Sequence, residues 1–369
     1  MGHYKSLKSV VTNIEKREWT KNEYAIQSWG SWLHRIAPYV GRIKPSFAHF
    51  IIKYISNEGE VILDPFCGIG TIPTEAALMN RDGIGNDLNP YAYYIALSKT
   101  DNKQSLEKLI SYLNSIEINT KKTSLENIPD WVKEYYNQQT LKEILFLVDK
   151  FKYEKQYFLL GCLIGISQGH RPGHLSKPCA WTLPYKPKLD DKGEYRETIP
   201  RLIAKVKRTY NENFSIKAKL EVIMQDARKL PLKDKFVDHI ITSPPYYDTL
   251  DYVNSHRLRL AIVGYYDEKN KDLLKKELIQ KFDTYLVEME KSLKEFRRVL
   301  KDKGYCVFII GDCFRNKTII NTANDLLPIA RRVGFTCHAI IEDAIPINKS
   351  VQKRTKTQKY DRIIIMTKN

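Results

Sequence analysis

The chain is poor in cysteine and lacks any long apolar run. Its 369 residues include six cysteines, and none of them forms a C-x-x-C pair. This spacing favours free, buried thiols in a reducing compartment over disulfides or a zinc ribbon. No stretch approaches the roughly eighteen uninterrupted apolar residues of a transmembrane helix, and residues 1–9 lack the apolar segment of a secretory signal. We therefore expect a cytoplasmic protein with no membrane partner.

Metal-ligand patterns are also scarce. His170, His174 and Cys179 are close enough in sequence to gather a metal in principle. Pro172 and Gly173 lie between the two histidines and break the helix that would align them. The sequence therefore predicts no metal site.

Acidic side chains are outnumbered by basic ones. The chain has 60 lysines and arginines against 43 aspartates and glutamates, a net charge of +17. Such a charge favours a polyanionic partner, because each neutralised phosphate releases counterions; a merely solvated basic surface is the alternative. The positive charge is concentrated in residues 201–219 and 349–359. Within these runs the predicted nucleic-acid contacts are Lys205, Lys207, Arg208, Lys353 and Arg354.

A proline pair marks the abrupt end of one predicted strand. The apolar residues 237–241 run into T-S-P-P-Y at 242–246. Because proline cannot donate to a β-ladder, the chain must leave the sheet there as a rigid turn. The turn carries a hydroxyl, the Pro244 carbonyl and an aromatic ring at a strand's carboxyl end, where open α/β sheets bind ligands. Such a turn can bind a planar ring that carries an amino group, although a turn with a purely structural role has the same sequence pattern.

A glycine-containing turn follows another apolar strand. Residues 61–71 read V-I-L-D-P-F-C-G-I-G-T and precede a predicted helix. Gly68 and Gly70 allow the backbone to approach a ligand closely, and the helix offers its first N–H groups. Two further predicted strands end in acids, Asp87 and Asp226. Since an acid after the second strand can accept from ribose hydroxyls, we expect a nucleotide-like ligand here.

Together these motifs resemble those of the S-adenosylmethionine-dependent amino-methyltransferases, which methylate exocyclic amines of DNA bases. The similar segments are D-P-F-C-G-I-G-T, G-N-D-L-N-P, Q-D-A-R-K-L-P and T-S-P-P-Y. Residues 41–47, G-R-I-K-P-S-F, resemble the segment called motif X. The S-P-P-Y form is similar to the cytosine-N4 branch, whereas adenine-N6 enzymes more often carry D-P-P-Y or N-P-P-Y. The resemblance covers roughly residues 30–100 and 220–369.

The resemblance implies S-adenosylmethionine as cofactor, double-stranded DNA as partner, and a cognate restriction endonuclease that acts separately. It implies a ribose-binding role for Asp87 and an adenine-binding role for Asp226. The full set of implied cofactor residues is Lys44, Pro45, Phe47, Asp64, Pro65, Phe66, Gly68, Gly70, Thr71, Asp87, Asp226 and Ala227. The residues implied to face the target base are Ser243, Pro244, Pro245 and Tyr246.

The target amine is a poor nucleophile, because its lone pair is delocalised into the ring. Positioning it in line with the methyl group supplies much of the rate. The Pro244 carbonyl and the Ser243 hydroxyl can accept its hydrogens, and Tyr246 can stack on a base flipped out of the duplex. Three alternatives stay open: an adenine-N6 enzyme, an RNA amino-methyltransferase and a non-enzymatic nucleic-acid-binding protein.

The predicted fold is α/β, a Rossmann-like seven-stranded methyltransferase sheet with a largely helical insertion. Three segments are expected. Residues 1–100 hold motif X and the first half of the methyltransferase domain, 101–215 form the insertion, and 216–369 complete the domain. A helix over residues 90–97 is predicted just before the insertion. The insertion contains predicted helices, one of them over residues 157–166, and a long loop over residues 169–193, and it is a candidate for DNA recognition.

Overall fold

The computed structural model describes residues 5–26, 28–101, 104–180, 193–210, 216, 218–245, 251–265, 267–279, 281–315, 318–345 and 359–368. The strands are β1 Val61–Asp64, β2 Asp82–Asn86, β3 Leu220–Ile223, β4 His239–Thr242, β5 Tyr305–Gly311, β6 Cys313–Arg315, β7 Thr318–Ile320, β8 Phe335–Ile345 and β9 Lys359–Lys368. The α-helices are α1 Leu7–Glu15, α2 Pro45–Ile55, α3 Thr71–Leu78, α4 Pro90–Leu97, α5 Leu106–Asn114, α6 Asp130–Lys133, α7 Gln138–Tyr153, α8 Tyr157–Ile166, α9 Thr198–Thr209, α10 Tyr252–Ser255, α11 Arg257–Ile262, α12 Glu268–Glu277, α13 Phe282–Val299 and α14 Thr322–Val333.

The main sheet has seven strands in the order β3-β2-β1-β4-β5-β9-β8. The first five are parallel neighbours, so their carboxyl ends share one edge. Strand β9 lies antiparallel between β5 and β8. The predicted seven-stranded Rossmann-like sheet is therefore confirmed. Strands β6 and β7 form a separate hairpin that the sequence did not predict.

Helices cover both faces of the sheet, which explains the nearly continuous apolar strands. Leu63 and Phe308 pack into the cluster that contains residues of α13 and α14. Their chain neighbours Ile62 and Val307 point the other way, into the cluster that contains residues of α1 and α2. Alternation along each strand thus places two apolar cores on opposite sides of one sheet.

N-terminal capping residues set the starts of two helices near the predicted site. Gly70 has a φ of +73° as the N-cap of α3, a backbone conformation that glycine adopts at low cost. Asn89 caps α4, its side chain accepting from the Tyr91 amide at 3.0 Å, and Pro90 occupies the first turn. Helices α4 and α8 begin and end at the residues that the sequence predicted.

The segment from α5 to α9 shares one apolar core with elements outside it. Leu147 of α7 and Leu159 of α8 lie in the same cluster as Tyr91 of α4 and Leu258 of α11. Helix α9 lies in a segment where the sequence shows mainly basic residues. Its buried residues Leu202 and Val206 are four positions apart, which places them on the same face of the helix. The segment boundaries at residues 100 and 215 stay predictions. Among the described helices, none is both long and apolar enough to cross a bilayer.

Candidate cofactor and substrate site

A cavity opens at the carboxyl edge of β1, β2, β3 and β4, where the sequence places its motifs. The predicted site residues that line it are Asp64, Pro65, Phe66, Gly68, Thr71, Asp87, Asp226, Ala227, Ser243 and Pro245. The other lining residues, which the sequence did not predict, are Tyr39, Gly41, Arg42, Ile43, Cys67, Ile69, Asn86, Leu88, Asn89, Gln225, Tyr252, Glu277, Leu278 and Ile279. Several of these residues are sequence neighbours of a predicted acid, and this adjacency is the signal that could have identified them.

The motif X segment reaches the cavity through different residues from those expected. Phe47 is buried in α2 with its ring 4.8 Å from that of Trp19, and the Lys44 ammonium donates to the Ala25 carbonyl at 2.7 Å. Pro45 opens α2. None of these three lines the cavity, because α2 turns their side chains away; Gly41, Arg42 and Ile43 line it instead.

Two more predicted residues act from behind the cavity wall. Gly70 does not line it: a Cβ on this glycine would lie 3.0 Å from the Cβ of Ala96, so its role in the structure is close packing of α3 on α4. Pro244 is buried between the two lining residues Ser243 and Pro245. Tyr246 lies outside the described residues.

Asp64 ends β1 and is almost fully buried. Its Oδ1 accepts from the Thr242 hydroxyl at 2.7 Å and from the Phe66 amide at 3.1 Å. Burial raises its pKa to about 7, and these hydrogen bonds only partly oppose that rise. Asp64 is therefore an acid that is poised to ionise near neutral pH when a cation enters the cavity.

Asp87 follows β2 and fixes the glycine turn. Its Oδ2 accepts from the Gly68 amide and its Oδ1 from the Asn89 amide, both at 2.8 Å. Burial raises its pKa to about 6. Each carboxylate oxygen has a second lone pair, so Asp87 can still accept from a ligand hydroxyl.

Asp226 is held by an arginine that the sequence prediction missed. The Arg228 guanidinium donates to Asp226 Oδ1 from Nε at 2.8 Å and to Oδ2 from Nη2 at 2.6 Å. The same arginine also pairs with Glu288 of α13. These contacts orient the carboxylate at the mouth of β3, and a fork-shaped pairing of this kind is geometrically specific.

Asn86 is a buried link between three strand ends. Its amide nitrogen donates to the carbonyls of Pro65 at 3.1 Å and Gln225 at 3.0 Å, and its oxygen accepts from the Gln225 amide at 3.0 Å. The side chain thus joins the turns that follow β1 and β3 while it sits on β2. Its placement beside Asp87 was the only signal in the sequence.

Two polar atoms of the cavity wall have no hydrogen-bond partner among the described residues. The Thr71 hydroxyl and the Asn89 amide nitrogen are buried and make no hydrogen bond within the described residues, although both residues line the cavity. Buried polar groups normally find partners, so the wall suits a ligand with hydrogen-bonding groups. Together with three carboxylates, it fits a cationic nucleoside such as S-adenosylmethionine.

Aromatic rings form the side of the cavity that faces α10 and α11. The Tyr39 ring stacks on His256 with centroids 4.7 Å apart and lies parallel to Tyr252 at 6.2 Å. A Cβ on Gly68 would lie 3.2 Å from the Tyr39 ring, so the ring covers the glycine turn. Burial lowers the pKa of His256 to about 3, which keeps this stack uncharged.

The basic residues that were predicted to contact nucleic acid lie in different environments. Lys207 and Arg208 are exposed on α9. Lys205 is buried instead, and its ammonium donates to the Arg35 carbonyl at 3.1 Å. It lies about one helical turn after the buried Leu202 and next to the buried Val206. Lys353 and Arg354 lie outside the described residues.

None of the six cysteines, all of which the structure describes, forms a disulfide, and all but Cys337 are buried. No group of three metal-ligating side chains occurs among the residues that the structure describes. Cys179 packs against Ser176 and Gly169 in the loop that follows α8, and burial raises its pKa.

Sequence comparison gives the family. The model of the DNA methylase family that covers N6 and N4 enzymes matches residues 11–98 and 237–369, more than half of the chain. The chain belongs to the DNA methylase family. The predicted resemblance is thus confirmed, and the cofactor of this family is S-adenosylmethionine. The family includes both acceptor types, so membership does not separate cytosine N4 from adenine N6.

Individual relatives match over parts of their length. The type II methyltransferase M.MjaII of Methanocaldococcus jannaschii is 33% identical over 128 residues, which are 35% of this chain and 22% of the relative. The type II methyltransferase M.BsoBI of Geobacillus stearothermophilus is 25% identical over 317 residues, 73% of this chain and 59% of the relative. The chain therefore spans less than two thirds of either relative. A TehB-like SAM-dependent methyltransferase from Corynebacterium glutamicum aligns with 87% of each chain at 14% identity and a TM-score of 0.34.

Proposed function

We propose that this DNA methylase family member transfers a methyl group from S-adenosylmethionine to the exocyclic N4 amine of cytosine in double-stranded DNA. One observation carries the proposal. Ser243 and Pro245 of the Pro-Pro turn line the same cavity as Asp64, Asp87 and Asp226. A group held by the three acids therefore lies beside the turn that suits an amino-bearing ring.

The cofactor assignment follows the chemistry of each strand end. Asp87 accepts from the ribose hydroxyls and Asp226, oriented by Arg228, accepts from the adenine amino group. Asp64, Phe66 and Gly68 surround the methionine part, to which the Thr71 hydroxyl and the Asn89 amide offer their unused hydrogen-bonding capacity. When bound, S-adenosylmethionine supplies an electrophilic methyl group on a good leaving group.

The substrate assignment rests on a neutral turn. The Ser243 hydroxyl and the Pro244 carbonyl accept the amine hydrogens, which favours a localised lone pair on nitrogen. Serine is a weak base, so Ser243 would position the amine rather than deprotonate it. Tyr246 stacks on the flipped base by analogy with the family motif.

The cytosine assignment rests on Ser243, which occupies the position where adenine-N6 enzymes more often have aspartate or asparagine. Adenine N6 is the main alternative, because both bases present an amine next to a ring nitrogen. The similarity to type II methyltransferases supports a cytoplasmic restriction–modification role, with a cognate endonuclease as separate partner.

The decisive experiment identifies the methylated nucleoside. We would incubate the protein with mixed-sequence duplex DNA, duplex RNA and labelled cofactor, digest the products and separate the nucleosides. We expect label in N4-methylcytosine from DNA alone. Label only in N6-methyladenine would overturn the cytosine assignment, and label only in RNA would overturn the DNA assignment. Asp87→Ala serves as the variant that should lose product formation with every acceptor.

A further inference from the structure

A second cleft lies behind the aromatic side of the cofactor cavity. It is lined by residues 35–38, by Gly165 and Ile166 at the end of α8, by residues of the loop that follows α8, and by α9. It shares no lining residue with the cofactor cavity.

The cleft is strongly basic. Arg35, Arg171, Lys205 and Arg208 line it together with His170 and a second histidine. No acidic side chain is among its lining residues. Among the ion pairs of the described residues, none involves these four cations, and the three arginines are exposed. A concentration of uncompensated positive charge attracts a polyanion.

The backbone that carries two of these cations, Arg171 and Arg35, is held by hydrogen bonds. The Arg196 guanidinium donates to the carbonyls of His174 and Ser176, both at 2.8 Å, and fixes the loop that carries Arg171. The His174 amide closes the turn on the Arg171 carbonyl at 2.9 Å. On the other side, the Lys205 ammonium joins α9 to the Arg35 carbonyl at 3.1 Å. The fixed backbone reduces the ordering that binding requires, which favours affinity.

The charges also repel one another inside the cleft. Burial lowers the pKa of Lys205, and the neighbouring Arg208 and Arg35 lower it further. An anion seated among these groups would offset that repulsion.

The cleft adjoins the proposed catalytic site through one stretch of chain. Pro38 lines the cleft, and the next residue, Tyr39, lines the cofactor cavity. The segment over residues 35–43 therefore forms a wall of both. This shared wall is the observation that connects a phosphate in the cleft with a base in the cavity.

We propose that this cleft binds the phosphodiester backbone of the DNA next to the target nucleotide. This inference rests on the proposed function, since it assigns a place to the same substrate. Phosphate contacts position a duplex without reading its sequence. The cleft would thus fix where the flipped base emerges, whatever segment recognises the bases.

The test compares two double variants in their salt dependence of DNA binding. Arg171→Gln with Arg208→Gln removes two cleft charges. Lys53→Gln with Lys233→Gln removes two exposed charges that precede β1 and β4, at the opposite edge of the sheet. We would measure the affinity for a duplex of about thirty base pairs at several salt concentrations. Each lost phosphate contact should reduce the slope of log K against log salt by about 0.9.

We expect the cleft variant to reduce that slope by about 2 and the control variant to leave it unchanged. Equal slopes for the parent and the cleft variant would overturn the proposal, as would a change seen with duplex RNA but not with duplex DNA. Circular dichroism and calorimetric cofactor affinity should be unchanged in both variants, which shows that the cofactor cavity is intact.

The two proposals fail in distinguishable ways. If the parent methylates DNA while the cleft variant keeps the parent slope, only the cleft assignment is wrong. If the parent binds cofactor but methylates no DNA, the proposed function itself is wrong, whatever the slopes. A single Arg35→Gln variant gives a second measure, with an expected slope change of about 0.9.

Discussion

The hydroxyl of Thr242 donates a 2.7 Å hydrogen bond to Oδ1 of Asp64. These two residues are the last of β4 and the last of β1, and their strands are parallel neighbours. The bond therefore connects the Pro-Pro turn directly to the glycine-containing turn. The geometry of the proposed base site and that of the proposed cofactor site depend on each other through this contact.

Thr242→Val should weaken this coupling without changing side-chain volume much. Loss of the hydroxyl removes a hydrogen bond that stabilises the ionised form of Asp64, so the pKa of that carboxyl should rise above about 7. We expect several-fold weaker cofactor binding at pH 7 by calorimetry. Thr242→Ser keeps the hydroxyl and is the matched control. Equal affinity in the valine and serine variants would contradict the assigned role.

Cofactor binding should depend on pH. Burial raises the pKa of Asp64 to about 7 and that of Asp87 to about 6. Because both carboxyls have a higher pKa in the folded protein than in the unfolded chain, their contribution to folding stability is complete below the unfolded-chain pKa. That contribution is lost as the pH rises through 6 and 7. A cationic cofactor favours the ionised carboxylates, so its binding should release protons and tighten over this window. Calorimetry in buffers of different ionisation enthalpy measures that release, which should shrink in Asp64→Asn; affinity independent of pH would rule the linkage out.

Asp87→Ala should weaken cofactor binding by roughly tenfold or more. The substitution removes the acceptor proposed for the ribose and also the bonds from the Gly68 and Asn89 amides that hold the turn. Asp82→Ala is the comparison, because Asp82 begins the same strand at the opposite edge and accepts from the Lys219 amide. Titration calorimetry should show a loss for Asp87→Ala alone. A similar loss in both variants would indicate general damage to β2.

Asn86→Ala should reduce both stability and cofactor affinity. It leaves the buried Pro65 carbonyl and the less buried Gln225 carbonyl without this donor, and an unsatisfied buried group typically costs about 1–3 kcal/mol. Urea unfolding measures the stability. Asn114→Ala, on the exposed end of α5, is a surface control that should stay within about 0.5 kcal/mol of the parent. Parent-like unfolding of Asn86→Ala would show that this amide does not link the strand ends.

Local patterns predicted the elements that have strong local signals. Helix α4 was predicted to the residue because Asn89 and Pro90 fix its start. Helix α9 was missed because its lysines and arginines dominate the composition, while only Leu202 and Val206 reveal its buried face. Long side chains such as Lys205 can bury their stems along such a face, and charge alone does not show which lysines do so.

The sequence by itself determined the turns that end β1 and β4 and the acids at the ends of β1, β2 and β3. Those features depend on residues close together in the chain, such as glycine, proline and apolar runs. Only the tertiary structure decided which side chains share a cavity. The direction of α2 places Phe47 against Trp19, so that Phe47 does not line the cavity. The packing of α11 stacks the His256 ring on the Tyr39 ring. Such contacts join residues far apart in sequence, and their geometry is set by how the helices pack on the sheet.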